Sequence, residues 1–310
     1  MSRLVIELTD RCNLKCRHCY DGRHAGRGWM SEQTFDAALQ GAKANGVTDI
    51  SLTGGEPSLH PRFGDFLRRI ADHGFTLGFV SNGWDLPRHL PALLAVRSSL
   101  TAITLSLDGA VAATHDAQRG ADSYRRVLVS AAMCREHGLP FSINFTVTRQ
   151  SVDEAEALVK LARAEGAFGV RLIAYLAHPR REDDPLEMSP AQRISTSLRL
   201  NLLCSRYSVE GFKVQLSPGF LHPDPTPCGS LRGQERNVDW LGRLDICCHL
   251  SGRERGDAAQ RLETPFATLP ALEARRKAFV ADREAAFAAG AVPATARFAC
   301  DHCLANWQRP

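Results

Sequence analysis

Three cysteines lie close together near the start of the chain, in the segment "DRCNLKCRHCY". Cys12, Cys16 and Cys19 have the spacing C-x3-C-x2-C and directly follow a short apolar run that predicts a β-strand. Three thiolates on one loop suit a cubic iron–sulfur cluster in which one iron has no protein ligand. A structural zinc site normally takes four ligands, so zinc with His18 as the fourth ligand stays open as the alternative.

A second group of cysteines lies far downstream, at Cys228, Cys247, Cys248, Cys300 and Cys303. The N-terminal segment "MSRLVIELTDRC" lacks the apolar run of a signal peptide, so we expect a cytoplasmic protein. In that reducing compartment, ten cysteines indicate metal ligands or redox-active thiols rather than disulfides. Two further cysteines, Cys134 and Cys204, fall within apolar helical patterns and are predicted to be buried core thiols.

The composition argues against two classes of partner. The net charge of +4 is spread along the 310 residues, and no block of Lys and Arg marks a surface for nucleic acid or membrane. The chain contains no apolar stretch of about twenty residues, which a transmembrane helix would need. We therefore expect a small-molecule or peptide substrate, with no nucleic-acid and no membrane partner.

The elements that must position these cysteines alternate between strand and helix in the first half of the chain. Six strands are predicted, at Leu4–Thr9, Asp49–Thr53, Thr76–Ser81, Ala102–Leu107, Phe141–Val147 and Gly169–Ala174. Helical patterns lie between them, at 31–46 with Ser31 as N-cap and Gly46 as the C-terminal stop, then at 62–73, 87–96, 123–137 and 152–165. This alternation predicts an α/β fold, a partial (β/α)6 TIM-like barrel whose ligands gather where the strands end.

The alternation stops after about Pro185. The segment 185–204 predicts one helix, and Pro- and Gly-rich turns, a hairpin near "VDWLGRLDICC" and Ala/Arg-rich helices follow it. We therefore predict two domains: the barrel at 1–185, and a linker helix with a smaller domain for the second cysteine group at 186–310.

The first cysteine motif resembles that of the radical S-adenosylmethionine (SAM) superfamily. This spacing is the hallmark of the superfamily, commonly with an aromatic residue before the third cysteine; here His18 takes that position and Tyr20 follows Cys19. The resemblance implies a [4Fe–4S] cluster whose open iron binds the amino and carboxylate groups of SAM. It also implies an external one-electron reductant such as flavodoxin or ferredoxin.

Further matches to the superfamily follow the ends of successive predicted strands, over roughly residues 1 to 180. "GGEP" follows the second strand, where the superfamily receives the methionyl amino group, and "SLDG" ends the fourth, where it binds the ribose and carboxylate. "SNG" ends the third strand and "QRG" follows the fourth. The resemblance implies these cofactor-binding residues in addition to His18 and Tyr20: Gly54, Gly55, Glu56, Ser81, Asn82, Ser106, Asp108, Arg119 and Asn144. Each motif alone could be an ordinary turn, and their shared order along the strands is the stronger argument.

The downstream cysteines resemble the auxiliary-cluster region of the SPASM/twitch subgroup, which opens with a cysteine, a spaced glycine and a second cysteine. The chain shows this order at Cys228, Gly242 and Cys247, followed by the pair Cys300 and Cys303. The resemblance implies a second [4Fe–4S] cluster on these four cysteines. The further cysteines of the full SPASM pattern do not follow Cys303 in the sequence, which favours the shorter twitch form. A structural zinc site on the same four ligands is the alternative.

Cys248 directly follows one of these ligands and is left without an obvious partner. A thiol beside a redox cluster can return a hydrogen atom to a carbon radical, and we assign Cys248 this catalytic role. The alternatives are a small buried hydrophobic residue, or exchanged roles for Cys247 and Cys248.

A hydrogen-donor thiol predicts a radical SAM epimerase, and the favoured substrate is a sugar of an aminoglycoside antibiotic, as in the neomycin-type epimerases. The alternatives are a twitch-type dehydrogenase of an amino sugar or alcohol, and an epimerase or maturase of a ribosomal peptide. An iron–sulfur or zinc regulator without catalysis is disfavoured by the strand-end motifs and by the lack of a basic DNA-reading helix.

Overall fold

A computed structural model describes residues 1–19, 28–176, 184–221, 224–251, 265–289 and 298–307. The described strands are β1 (Arg3–Glu7), β2 (Asp49–Thr53), β3 (Thr76–Ser81), β4 (Leu100–Ser106), β5 (Phe141–Val147), β6 (Gly169–Ala174), β7 (Lys213–Leu216), β8 (Glu235–Val238) and β9 (Leu244–Asp245). The described helices are α1 (Glu32–Ala44), α2 (Phe63–Asp72), α3 (Leu90–Ala95), α4 (Ala112–Arg119), α5 (Ser123–Glu136), α6 (Ala155–Ala164), α7 (Pro190–Tyr207), α8 (Leu269–Ala288) and α9 (Ala299–Asn306).

All of these strands form one sheet in the order β7-β6-β5-β4-β3-β2-β1-β8-β9. Neighbouring strands pair in parallel from β7 through to β8, and only β9 runs antiparallel to its neighbour. The six predicted strands are therefore confirmed, four of them with the predicted bounds. The architecture is the predicted mixed α/β fold with a TIM-like barrel. The barrel is partial, because β7 and β9 lie at the two edges of the described sheet and do not pair with each other.

Side chains along each strand alternate between two faces of the sheet, one packed against the helices and one directed to the barrel interior. In β5, Phe141, Ile143, Phe145 and Val147 are buried, while the intervening positions 142, 144 and 146 are only half-buried. The buried face packs against the helices, where Phe35 of α1 stacks on Phe66 of α2 with 3.9 Å between ring centroids. Burying each such side chain stabilises the fold by about 1.5–3 kcal/mol. The other face of the strands remains available to line the interior.

The helix predictions are confirmed in outline, with two differences at helix starts. Ser31 is the N-cap of α1 and accepts a hydrogen bond from Thr34 N at 3.1 Å. The segments predicted as helices at 87–96 and 152–165 each begin with a short 3₁₀ turn before α3 and α6. Helix α4 was not predicted, because "AATHDAQR" has no apolar stripe.

Two segments after residue 185 extend the barrel sheet. β7 adds to β6 at one edge, and β8 adds to β1 at the other, with Leu4 opposite Arg236. The predicted hairpin is confirmed as β8 and β9, and the predicted linker helix is α7, which begins at Pro190 after a capping box of Ser189 and Gln192. The domain boundary at 185 stays a prediction. No described helix has the length and apolar character needed to cross a membrane.

Candidate active site

The loop between β1 and α1 carries the first three cysteines, and all three side chains are half-buried. Burial, with smaller contributions from Glu56, Cys16 and Cys19, raises the pKa of Cys12 to about 12, as expected for a thiol that lies near two others. The described residues contain no group of three His, Cys, Asp or Glu side chains that could hold a single metal ion. The three thiols are therefore near one another, but they do not form a site for a single metal ion.

His18, the suggested fourth ligand of a zinc ion, is held by a carboxylate. Its Nε2 lies 2.6 Å from Asp108 Oδ2, and both side chains are almost fully buried. Binding zinc through this nitrogen would break a buried charge-assisted hydrogen bond. The geometry thus favours His18 as a support of the loop over His18 as a ligand.

The two glycines of "GGEP" bring the end of β2 against the cysteine loop. Gly54 has φ +133°, and a Cβ there would lie 2.3 Å from the Thr9 carbonyl oxygen; a Cβ on Gly55 would lie 2.1 Å from the Arg11 carbonyl oxygen. Gly55 N donates to Thr9 O at 2.7 Å, and Glu56 N donates to Arg11 O at 2.8 Å. These backbone bonds need the absence of a side chain, so the glycines fix the position of the loop.

Glu56 joins the end of β2 to the end of β3. Its carboxylate is buried, and Oε1 accepts hydrogen bonds from Ser58 N, Ser58 Oγ and Ser81 Oγ, the last two at 2.6 and 2.9 Å. Oε2 accepts from Asn82 N at 2.7 Å. Burial raises the pKa of Glu56, and these donors oppose the shift. The structure thus shows Glu56 binding neighbouring strand ends, and its contact with a SAM ammonium stays a prediction.

Asn82, at the end of β3, reaches the cysteine loop directly. Its Nδ2 donates to Asn13 Oδ1 at 2.8 Å and lies 3.9 Å from Cys12 Sγ. Asn13 was not predicted as a site residue, although it lies between two of the cysteines in the motif. The amide pair holds the loop at its Cys12 end.

Asp108, just after β4, is the centre of a buried charge network. Its Oδ2 accepts from Arg119 Nε and bonds to His18, and its Oδ1 accepts from Thr146 N at 2.7 Å. Burial alone would raise the pKa of Asp108, but Arg119 and His18 hold it well below its usual range. Arg119 Nη1 then lies 3.8 Å from Cys16 Sγ. Asp108 and Arg119 therefore hold the loop at its Cys16 end.

His115 completes this network and was missed in the sequence, because it lies in the unpredicted helix α4. Asp108 N donates to His115 Nδ1 at 3.0 Å, so that ring nitrogen is an acceptor and the ring is neutral. Burial lowers the pKa of His115 to about 4, and the neighbouring Arg119 charge adds to the shift.

The remaining predicted cofactor residues lie at the same edge of the sheet, except one. Ser106 is buried and lies opposite Asn144 in the register of β4 and β5, and Asn144 O accepts from Leu107 N at 2.9 Å. Tyr20 lies outside the described residues. The structure therefore links Glu56, Asn82, Asp108 and Arg119 to the cysteine loop, whereas Ser106 and Asn144 show only contacts between neighbouring strands. The contacts of all these residues with SAM remain predictions.

A second cavity brings together the four downstream cysteines of the predicted cluster. It is lined by Cys228, Cys247, Cys300 and Cys303 together with apolar side chains that include Leu231 and Ile246. Burial raises the pKa of the Cys228, Cys300 and Cys303 thiols, that of Cys303 to about 12. These cysteines come from three segments: a turn before β8, the residues after β9, and successive turns of α9.

Cys248 lies beside this cavity without being one of its lining residues. The neighbouring Cys248 thiol is the first cause of the raised pKa of Cys247, before burial. Cys134 is fully buried, as predicted, and Cys204 is only half-buried.

Comparison with known proteins identifies a family for the part of the chain that contains the first cysteine loop. Residues 6–162 match the family described as the Radical SAM superfamily. An AdoMet-dependent heme synthase of Methanosarcina barkeri is 31% identical over 194 residues, covering 61% of this chain and 55% of the relative. A PqqA peptide cyclase of Ruegeria pomeroyi is 32% identical over 168 residues, covering 53% and 44%. The chain thus spans about half the length of these curated relatives.

Among solved structures, SuiB of Streptococcus suis bound to S-adenosylmethionine superposes with a TM-score of 0.68 at 17% identity, covering 82% of this chain and 62% of SuiB. SuiB bound to the precursor peptide SuiA gives a TM-score of 0.67 at 16% identity, covering 84% and 63%. At this identity the likeness shows the fold. The family match covers just over half of the chain, including the cysteine loop and the strand-end residues around it, and the chain therefore belongs to the radical SAM superfamily.

Proposed function

We propose that this chain is a radical SAM enzyme with two iron–sulfur clusters that modifies a residue of a peptide. One observation carries the proposal: the loop of Cys12, Cys16 and Cys19 is held by hydrogen bonds from the carboxyl ends of successive strands. In a barrel of this kind the carboxyl ends of the strands are where chemistry takes place.

The first site fits a cluster held at three corners. Three neighbouring thiols on one short loop suit a cubic cluster that has one iron without a protein ligand. When bound, this cluster and SAM together supply one-electron chemistry that produces a radical able to take hydrogen from an unactivated C–H bond. Because burial keeps Cys12 and Cys16 protonated, loading the site releases protons, and Asn82 and Arg119 then lie near the resulting thiolates.

The second cavity fits the proposed auxiliary cluster, because it gathers four thiols among apolar side chains that include Leu231 and Ile246. Cys228, Cys247, Cys300 and Cys303 would hold the cluster. Cys248, next to this cavity, would return a hydrogen atom to the substrate radical from the opposite face.

A peptide is the favoured substrate, because one relative is a PqqA peptide cyclase and SuiB is known with a precursor peptide bound. A polycationic aminoglycoside would need open carboxylates. Of three carboxylates in the C-terminal part that could serve, Asp224, Asp239 and Asp245, the first two are already paired with arginines: Asp224 with Arg232 at 2.5 Å and Asp239 with Arg243 at 2.8 Å. The comparisons give the aminoglycoside no support, and it stays a prediction from sequence alone.

The proposal is tested by anaerobic reconstitution followed by three measurements: iron content, 5′-deoxyadenosine formation, and mass change of candidate peptides. We expect iron for two clusters and reductant-dependent SAM cleavage, with flavodoxin or ferredoxin as the reductant. Cys12→Ala should reduce 5′-deoxyadenosine to background while the second cluster is retained. Cys204→Ala, which removes a half-buried thiol outside both sites, is the matched control. A protein that binds only zinc, or that leaves SAM intact when reduced, would refute the proposal.

Epimerisation is the second candidate, favoured by the position of Cys248 beside the Cys247 thiol. Turnover in deuterated water should then place one deuterium at the inverted carbon, and Cys248→Ala should cleave SAM without inversion. An oxidised product that forms equally well in Cys248→Ala would favour the dehydrogenase instead.

A further inference from the structure

Helix α8 carries a buried arginine that the sequence analysis did not single out. Arg283 is 2% exposed, and its Nε donates to Pro225 O at 2.5 Å. Its other two guanidinium nitrogens, Nη1 and Nη2, are buried and have no hydrogen-bond partner among the described residues. A buried cationic group with two unused donors is costly, and such groups are normally paired with an anion.

Arg283 lies next to segments that supply cysteines to the second cavity. One turn earlier on the same face of α8, Phe279 contacts His302 and Trp307, with 5.4 Å between ring centroids in both pairs, so this face packs against α9 and the residue that follows it. The bond to Pro225 ties the same guanidinium to the segment that leads into Cys228. Arg283 therefore lies between two of the segments that supply cysteines to the cavity.

The charge of Arg283 interacts most strongly with these cysteines. Burial lowers the pKa of Arg283, and the groups that oppose this shift are, in order, Cys303, Cys228 and Cys300, with Asp224 after them. Asp224 is already paired with Arg232. Among the described residues no carboxylate forms an ion pair with Arg283, and the cysteines of the cavity are the nearest groups that could become anionic.

We propose that Arg283 donates hydrogen bonds from Nη1 and Nη2 to sulfur atoms of the second cluster and offsets its negative charge. This inference rests on the second cluster of the proposed function. Thiol groups that keep their protons would leave the guanidinium uncompensated, whereas a thiolate-bound cluster gives it an anion. Hydrogen bonds and positive charge near a cluster favour its reduced, more negative state, so Arg283 is a positioning residue that raises the reduction potential.

The test is a redox titration of the second cluster, followed by electron paramagnetic resonance, in Cys12→Ala protein that lacks the first cluster. Arg283→Gln removes the charge and should lower the midpoint potential by at least a tenfold change in the reduction equilibrium, about 59 mV for one electron. Arg283→Lys keeps the charge but loses the forked donors, and a smaller shift in the same direction is expected. Lys277→Gln removes an exposed positive charge from the same helix and should leave the potential unchanged.

The outcomes separate this inference from the proposed function. If the parent protein binds no second cluster, the proposed function fails in that part and the role of Arg283 fails with it. A second cluster whose potential is the same in Arg283→Gln would overturn only the role of Arg283. Should Arg283→Gln lose the cluster, Arg283→Lys decides: a lowered potential supports the inference, and an unchanged potential overturns it.

Discussion

The two cysteine sites of this chain are assembled in different ways. In the first site all three cysteines lie on one short loop, which the ends of β2, β3 and β4 hold through hydrogen bonds. In the second site the cysteines come from three segments that are far apart in the sequence. The first site is therefore organised by the barrel itself, whereas the second is assembled by the packing of segments that are distant in the sequence.

A buried arginine lies near the thiols of each site, and the two arginines differ in their partners. Arg119 is paired with the buried Asp108, and its Nη1 lies 3.8 Å from Cys16 Sγ. Arg283 has no carboxylate partner among the described side chains and keeps two unused donors. The difference indicates that Arg119 positions a loop, whereas Arg283 is available to an anionic group.

Gly55→Ala is the most direct way to break the organisation of the first site. A Cβ would lie 2.1 Å from the Arg11 carbonyl oxygen, a backbone atom that cannot move without moving the cysteine loop. We expect a loss of stability of about 1–3 kcal/mol, together with loss of the first cluster. Urea unfolding and iron content after reconstitution measure both effects.

Gly46→Ala is the control for this substitution. It introduces strain of about 1–2 kcal/mol at a positive φ, but no atom lies within 4 Å of the new Cβ. It should therefore lower stability and keep both clusters. A Gly55→Ala protein with a full first cluster would show that the close approach of the two loops is unnecessary.

The comparison also shows which features were accessible from the sequence. The bounds of β5 were predicted because Phe141, Ile143, Phe145 and Val147 alternate with polar residues, a local signal. The pairing of β8 with β1 was not predicted, because it joins segments more than two hundred residues apart and neither segment encodes its partner. The positions of the strands could be predicted from local sequence patterns. The pairing of strands at the edge of the sheet could not, because it depends on contacts between distant segments.

The same distinction holds for the candidate sites. The strand-end motifs were visible because short parallel strands bring their carboxyl ends to one edge of a sheet. The contacts from Asn82 to Asn13 and from Arg119 to Cys16 depend on side-chain packing across the barrel, which spacing alone does not specify. Arg283 lies in an Ala/Arg-rich helix whose other charged residues are exposed or half-buried, so its sequence context gave no sign of full burial.

Removing the iron tests whether the two sites differ in their dependence on a bound cluster. If the second site is held together by its cluster, the iron-free protein should lose amide protection in 224–251, 265–289 and 298–307, and keep it in β1 to β6. Hydrogen exchange with mass spectrometry, on the reconstituted and the iron-free protein, measures this difference. The strands of the barrel serve as the internal control. Equal protection of the C-terminal segments in both forms would mean that the second site, like the first, is organised by the chain alone.

The smallest expected effect concerns the neutral His115 beside Asp108 and Arg119. Burial lowers its pKa to about 4 from an ordinary value near 6.5, so between these pH values the unfolded chain binds more protons than the native one. Stability should therefore fall as the pH drops through this window, by at most about 3 kcal/mol. His115→Gln should be less stable at pH 7.5 but should lose this part of the pH dependence, because it has no proton to gain. Urea unfolding of the iron-free protein from pH 7.5 to 4.5 measures the slope, with the exposed His137 changed to Gln as the control. An unchanged slope in His115→Gln would show that the acid sensitivity comes from another group, and that the charge network at the first site does not depend on a neutral ring at this position.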